Sequence, residues 1–481
     1  MDNVVSKAIA VKPSDRQVAW QEMEFYAFIH FTVNTFTDRE WGQGDEDPEI
    51  FDPLALDAAQ WVEVCRSAGM RGLILTCKHH DGFCLWPSDY TDHSVRNSPW
   101  RDGQGDLVRE VADACRRGGL KFGVYLSPWD LHEPTYGDSP VYDAYFKNQL
   151  TELLTNYGDI FCVWFDGACG EGPNGKRQQY DWDGYYRLIR ELQPNAVISV
   201  CGPDVRWCGN EAGHTRDSEW SVVPVSLKDN EKIQDRSQQV DDGEFAKRVG
   251  SQDEDLGSRA VLREAEELIW YPAEVNTSIR PGWFYHAAED DRVKSLEELL
   301  SVYEKSVGGN ATFLLNLPPD RRGRIHEADA ERMSALGQAI RRTYTDNLAA
   351  DATAIASEAM DEDHAPSRLF DGDRDTYWCP PPGVEQAVIE IELNDAKTFD
   401  RVVLMEPIRH GQRVERFKLE WKDGDDWREL YRGTVIGYKR ICVFDPVSTR
   451  SVRLTISESR WCPSLSFVGV YFSEQTNEFR R

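Results

Sequence analysis

Phe161-Cys162-Val163-Trp164-Phe165-Asp166-Gly167 is an apolar run that ends on an acid. An ionised carboxylate buried without partners is costly, so the buried acids that persist are paired or put to use. The same pattern recurs on either side. Phe25–Phe31 carries His30 near its end. Gly72–Thr76 runs into Lys78-His79-His80-Asp81, and Leu120–Leu126 is followed by Ser127, Trp129 and Asp130. Parallel strands that gather chemistry at one end produce this signature.

Between these runs lie stretches with helical spacing. Asp57–Ala68 places Ala58, Trp61, Val62 and Cys65 on one face, and Leu107–Arg117 does so with Leu107, Val111, Ala114 and Cys115. Further helices are expected near Tyr142–Tyr157, Tyr185–Leu192, Leu296–Val307 and Ala328–Thr343. Strands are expected at Ile160–Phe165, Ala196–Cys201, Ile269–Val275 and Thr312–Leu317, with no clear run for the sixth. About eight strand–helix units over this span predict an α/β fold of the (β/α)₈ TIM-like barrel type. No Gly-x-Gly-x-x-Gly follows the first strand, which disfavours a dinucleotide-binding sheet. Lys228–Arg259, rich in charge, Gln and Gly, reads as an excursion at the barrel rim.

The pattern changes near residue 346. Short alternating strands follow at Ala387–Leu393, Arg401–Met405, Phe417–Trp421, Ile441–Phe444, Val452–Ile456 and Phe467–Phe472. Turn residues such as Lys422-Asp423-Gly424-Asp425 separate them, as in an antiparallel β-sandwich. The expected organisation is a barrel over 1–345, a sandwich over 346–473 and a polar tail over 474–481.

Composition narrows the partners. The 481 residues hold 55 basic and 83 acidic side chains, for a net charge of −28. Such a chain repels nucleic acid and anionic lipid, so neither is expected as a partner. The 11 cysteines form no Cys-x-x-Cys pair and several sit inside apolar runs, which reads as free thiols in a reducing compartment. With no visible signal peptide and no apolar span of the ~20 residues a bilayer requires, a cytoplasmic location is expected. No marker of oligomeric state is present.

The strand ends collect His30, His79, His80, Asp166, the segment from Asp204 through Glu211 to Arg216, Glu274 and Asn316, with tryptophans among them. Two carboxylates with aromatic walls are the equipment of a glycosidase: one attacks or activates water, the other protonates the leaving oxygen. A metal-dependent barrel hydrolase built on His30, His79, His80 and Asp81 is an alternative. A glycan-binding protein without turnover is another.

His30-Phe31, Glu40-Trp41, Lys78-His79-His80-Asp81-Gly82-Phe83, Phe122-Gly123-Val124-Tyr125, Trp164-Phe165-Asp166-Gly167 and Arg280-Pro281-Gly282-Trp283-Phe284-Tyr285-His286 together resemble the α-L-fucosidases of glycoside hydrolase family 29. Gly209-Asn210-Glu211-Ala212-Gly213 resembles the branch that cleaves α-1,3/1,4-linked fucose from branched, Lewis-type glycans. The resemblance implies an exo-acting retaining hydrolase without a metal cofactor, its substrate a fucosylated oligosaccharide. Asp166 would be the nucleophile and Glu211 the acid/base, with Asp204, Asp217, Glu219 and Glu274 as rivals for the second role. A retaining pair is expected ~5–5.5 Å apart. Fucose-hydroxyl contacts would fall on His30, Glu40, His79, His80, Tyr125 and Arg216, and apolar contacts on Trp41, Trp164 and Trp283.

Leu369-Phe370-Asp371-Gly372-Asp373, Thr376-Tyr377-Trp378 and Phe467–Phe472 resemble a discoidin, or factor 5/8 C-type, sandwich. That implies either sugar binding or packing on the barrel, and a structural calcium at Asp371 and Asp373, whose oxygens suit a hard cation.

Overall fold

Eight parallel strands form a nearly closed ring in the computed structural model, which describes residues 3–229 and 255–474. They are β1 (Phe25–Ile29), β2 (Gly72–Lys78), β3 (Lys121–Leu126), β4 (Ile160–Phe165), β5 (Val197–Val200), β6 (Arg206–Trp207), β9 (Ala273–Ser278) and β10 (Ala311–Asn316). β10 returns to pair with β1, and a bridge between Ser199 and Val205 joins β5 to β6. At the end of β5, Val200 has φ 66°, a left-handed conformation rare for a β-branched residue. That sharp turn brings Val205 back beside Ser199.

β4 shows how the sequence positions the site. Val163 and Phe165 pack outward among the surrounding helices, while Cys162 and Trp164 point into the barrel. Successive side chains alternate across a strand, so Asp166 falls on the inward face just beyond the strand end. The surrounding helices start where side-chain caps permit. Asp57, Asp106 and Asp181 each accept a backbone N–H at the starts of Ala58–Ser67, Leu107–Gly118 and Trp182–Leu192.

One strand without a clear run in the sequence is found here, and one strand expectation needs correction. The sixth strand is the dipeptide Arg206–Trp207, too short to form an apolar run. Ile269–Val275 is not one strand. Leu268–Trp270 (β8) pairs antiparallel with Val222–Pro224 (β7) in a side ribbon, and β9 begins only after Pro272. A proline lacks the N–H a central strand needs, and here it marks the break. β9 therefore ends at Ser278, and Glu274 lies near its beginning. The excursion expected at Lys228–Arg259 lies outside the described residues except at its two ends, as does the tail beyond residue 474.

The C-terminal region is a β-sandwich. Its strands are β11 (Thr353–Ala356), β12 (Ala387–Met405), β13 (Val414–Asp423), β14 (Asp426–Gly433), β15 (Arg440–Ser459) and β16 (Phe467–Tyr471). The short strands expected at 387–393 and 401–405 are one long strand, as are those at 441–444 and 452–456. Register shifts in the β12–β15 pairing, between Glu392 and Lys397 and between Phe399 and Arg401, interrupt these strands midway. One half of β12 pairs with β11 and the other with β16. Such irregularities let a long strand bend from one layer into the next.

The sandwich packs on the barrel wall. Arg401 Nε donates to Glu304 Oε1 at 2.7 Å, and Tyr438 OH donates to Glu24 at 2.9 Å. Val403, Met405, Ile441 and Tyr471 complete the barrel's outer apolar core.

Candidate active site

Asp166 stands at the C-terminal mouth of the barrel with its side chain 23% exposed. Its Oδ1 accepts from the Ala168 N–H at 2.8 Å and its Oδ2 from the Tyr125 hydroxyl at 2.9 Å. Both oxygens are thus oriented by donors. Burial, and then the Asp166 charge, push the Tyr125 hydroxyl well above the ordinary phenol range, so it remains a donor. Trp164, two residues before Asp166 on the same face, stacks on the Tyr125 ring with centroids 5.3 Å apart.

Three buried imidazoles line the same pocket. Asn316 Nδ2 donates to Ser278 Oγ at 2.9 Å and to the Trp283 carbonyl at 2.8 Å. Its Oδ1 therefore faces His30 Nδ1 at 2.9 Å as an acceptor. Burial pushes the His30 pKa down to about 3, so the ring is neutral, protonated on Nδ1, with Nε2 left as an acceptor. Ser127 donates its hydroxyl to the Trp129 carbonyl at 2.6 Å, so His80 Nδ1 donates to Ser127 Oγ at 2.7 Å. Burial also lowers the His80 pKa, against the opposing charges of Asp166 and Asp130. Its Nε2 lone pair then faces Asp166 Oδ2 across 3.8 Å, a gap suited to a donor between two acceptors. His79 is held well below its ordinary pKa, chiefly by burial, and its Nδ1 has no hydrogen-bond partner among the described residues. These neutral imidazoles present nitrogens that can exchange hydrogen bonds with hydroxyl groups.

His79, His80 and Asp166 also offer ligand atoms within 4.8 Å of one another, as a cation site would. Lys78 and Asp81 of the same motif serve the scaffold. Lys78 is fully buried against Asp130 at 2.8 Å, and Asp81 accepts from Thr32 Oγ1 and the Phe83 N–H.

Glu40 acts as a clamp. Its Oε2 accepts from the Trp283 N–H at 2.7 Å, while its Oε1 accepts from the Phe284 N–H at 3.0 Å and meets His286 Nε2 at 2.7 Å. A Cβ on Gly282 would sit 2.6 Å from Glu40 Oε1 and 2.9 Å from the His286 ring, so a larger residue there would push the clamp aside. The clamp seats Trp283 against His30, with ring centroids 5.2 Å apart. Trp41 stands 47% exposed at the mouth, edge-on to His80 and to Trp129.

Glu211 sits on the loop after β6 and accepts from Trp283 Nε1 at 3.1 Å, which ties it to the pocket. The loop is knitted internally. Asn210 Oδ1 accepts from the Ala212 and His214 N–H groups, and Arg216 Nη1 donates to the Cys208 carbonyl at 2.7 Å. The sandwich braces its far end, where Arg440 Nη2 and Thr434 Oγ1 donate to the Asp217 carbonyl.

Three of the rival carboxylates are committed elsewhere. Asp204 receives Arg16, Arg190 and the Ile198 N–H; Glu219 is buried between Arg206 and Arg216; Glu274 lies inside the barrel, bonded to Trp164 and Tyr26. Asp217 is exposed, and it is its carbonyl that meets the sandwich. Ser127, Trp129 and Asn316, which also stand at strand ends, belong to the site through their contacts with His80 and His30. Phe284, which packs edge-on against His30 and His79, carried no polar signal.

A parallel barrel with an inward, hydrogen-bonded acid, neutral imidazoles and aromatic rings at its C-terminal mouth defines a barrel glycoside hydrolase. The family profile for Alpha-L-fucosidase matches residues 8–343, and that for the F5/8 type C domain matches residues 352–467. Alpha-L-fucosidase 1 of Arabidopsis thaliana is 39% identical over 475 residues, spanning 97% of this chain and 89% of that protein. A glycoside hydrolase 29 family member from an unknown rumen bacterium has 42% identity and a TM-score of 0.78, covering 96% of this chain and 77% of that one. A Ruminococcus gnavus GH29 fucosidase solved in complex with fucose has 32% identity and a TM-score of 0.83, covering 97% and 95%. The chain belongs to the alpha-L-fucosidase family, glycoside hydrolase family 29. It is a glycoside hydrolase acting on α-L-fucosides.

Proposed function

We propose that this enzyme releases terminal α-1,3/1,4-linked L-fucose from branched oligosaccharides or glycoconjugates by double displacement. Asp166 attacks C1 of fucose while Glu211 gives its proton to the departing glycosidic oxygen, leaving a fucosyl ester on Asp166. The Glu211 carboxylate then takes a proton from water, whose oxygen attacks C1 and frees Asp166. Fucose leaves with its anomeric configuration retained. The observation that carries this reading is the inward Asp166, oriented by Tyr125 and Ala168, with the imidazole nitrogens of His79 and His80 close by and His30 packed against His79. Those nitrogens, with Arg216 and Glu40, would receive the fucose hydroxyls, and Trp41, Trp164 and Trp283 its apolar face and methyl group. Fucose bound in the Ruminococcus gnavus relative supports a fucosylated substrate here.

The test is a panel of α-1,2-, α-1,3-, α-1,4- and α-1,6-fucosylated oligosaccharides. Release from the α-1,3 and α-1,4 members alone is expected. Equal release from all four would remove the linkage assignment and leave the fucosidase.

A second reading has one observation behind it, the close approach of His79, His80 and Asp166 as a cation site. Loss of activity on chelation would favour it. The eleven buried free cysteines support a reducing, cytoplasmic setting; no described helix is long and apolar enough to cross a membrane. A structural calcium at Asp371 and Asp373 is a further part of the proposal. Those carboxylates already accept from Thr376 and from the Asp373 and Asp375 N–H groups, so a bound ion would show as a calcium-dependent rise in Tm.

A further inference from the structure

Glu274 is a carboxylate that the double displacement does not use. It is the second residue of β9, fully buried, with its side chain directed into the barrel beneath the mouth. Branched apolar side chains ordinarily fill that space, and an acid there is costly. Burial pushes its pKa up to about 7, against the hydrogen bonds that favour the charge. Three strands supply those bonds: Trp164 Nε1 from β4 donates to Oε1 at 2.7 Å, Ser199 Oγ from β5 lies 3.4 Å from the same oxygen, and Tyr26 OH from β1 donates to Oε2. The Tyr26 hydroxyl is itself oriented by Trp20 Nε1 at 3.0 Å and lies 3.1 Å from Thr312 Oγ1.

Trp164 has one N–H, and it is spent on Glu274. That bond sets the rotation of the indole in the pocket floor. The indole face lies against Tyr125, and its edge meets Phe28 at 5.0 Å. Tyr125 in turn donates to Asp166 Oδ2. A series of contacts therefore runs from β9 across the barrel: Glu274 fixes Trp164, Trp164 backs Tyr125, and Tyr125 aims the acid.

We propose that Glu274 is a positioning residue for fucosyl transfer to Asp166, acting through the Trp164 indole and the Tyr125 hydroxyl. The proposal rests on Asp166 being the nucleophile. A strand-borne clamp of this kind costs no reorganisation during reaction, and a misplacement of about 1 Å can cost on the order of 10²-fold in rate.

The test is a double-mutant cycle read in kcat and KM on an aryl α-L-fucoside. Glu274→Leu removes the acceptor at similar size, and Glu274→Gln retains an oxygen for Trp164 Nε1. The Leu variant is expected to lose about tenfold to a hundredfold in kcat, together with part of the near-ultraviolet tryptophan circular dichroism. The Gln variant should stay within about threefold of wild type on both readouts. In a Tyr125→Phe background the Glu274→Leu loss should shrink to about threefold or less, because the link it acts through is already gone. The same loss in both backgrounds, or wild-type kcat in a folded Leu variant, overturns the proposal. Should the Leu variant fail to fold, Trp164→Phe removes the same bond from the other side. Wild-type kcat there also overturns it. Asp166→Asn separates the two levels. Turnover in that variant strikes the nucleophile assignment itself, whereas its inactivity beside a fully active Glu274→Leu strikes the positioning role alone.

Discussion

The loop that bears Glu211 and the strand that delivers Asp166 are built in different ways. Asp166 follows a six-residue strand that is paired on both edges, and both of its oxygens are held by nearby donors. Glu211 follows a two-residue strand and rides on irregular backbone. Its loop is held by the Asn210 turn, by the Arg216–Cys208 bond, by Trp283 from across the mouth and by Arg440 and Thr434 of the sandwich. Under the roles proposed for Asp166 and Glu211, the difference has a chemical sense. A nucleophile must meet C1 along one line, which a strand end enforces. An acid/base must serve a leaving oxygen and then a water, which a braced loop can do while admitting different aglycones. The C-terminal domain thus belongs to the architecture of the candidate site.

The largest effect expected is from Asp166→Asn, which removes the proposed nucleophile and leaves its shape. Turnover should fall on the order of 10⁴-fold or more, measured as fucose release, and full activity would end the contrast between the two regions. Glu211→Ala should come next, with a loss of about 10²- to 10⁴-fold on natural glycans. The loss should be smaller on an aryl fucoside, whose leaving group needs less protonation, and azide should restore rate. Absence of rescue in a folded variant would move the acid to another carboxylate.

Tyr125→Phe keeps the ring on Trp164 and removes the hydrogen bond to Asp166. A hydrogen bond to a charged group is worth about 1.5–3 kcal/mol, so kcat should fall about 10- to 100-fold, with KM less affected. An unchanged kcat would mean that the strand alone orients Asp166.

A smaller effect concerns the clamp between the two regions. His286 is raised to about 9, first by its hydrogen bond to Glu40 and then by Asp38, against burial. A histidine raised above its ordinary 6.5 contributes stability that is fully present below pH 6.5 and lost as pH climbs through about 9. The Tm of wild type should therefore fall between pH 6.5 and 9 relative to His286→Gln, and parallel curves would show that the ion pair contributes nothing. Smallest of all is chelation. Dialysis against EDTA should leave activity unchanged, and a loss reversed by a divalent metal would turn His79, His80 and Asp166 into a metal site.

How far the sequence could be read varies along the same divide. β1 to β5 and β10 were legible because each is an apolar run bounded by turns, and Asp166, His30, His79 and His80 were legible because they stand at the ends of such runs. β6 was not, because two residues carry no periodicity. β9 was displaced because Ile269 and Trp270 look like barrel strand yet pair with β7 in a side ribbon. The run therefore puts Glu274 at a strand end, whereas it lies in the barrel interior. In the sandwich, polar residues at the register shifts interrupt the alternation, so β12 and β15 each read as two short strands.

By itself the sequence determined the barrel, the sandwich, the inward acid of β4 and the family. These depend on local periodicity and on residues adjacent in the chain. Only the tertiary structure decided that Glu40 holds the Trp283 loop, that His30 is a neutral acceptor set by Asn316, and that Glu274 reaches Trp164 across the barrel. Each of those contacts joins residues roughly 110 to 290 positions apart. Such contacts arise when a ring of strands closes and brings distant side chains within hydrogen-bonding range, and no local pattern in the chain encodes them.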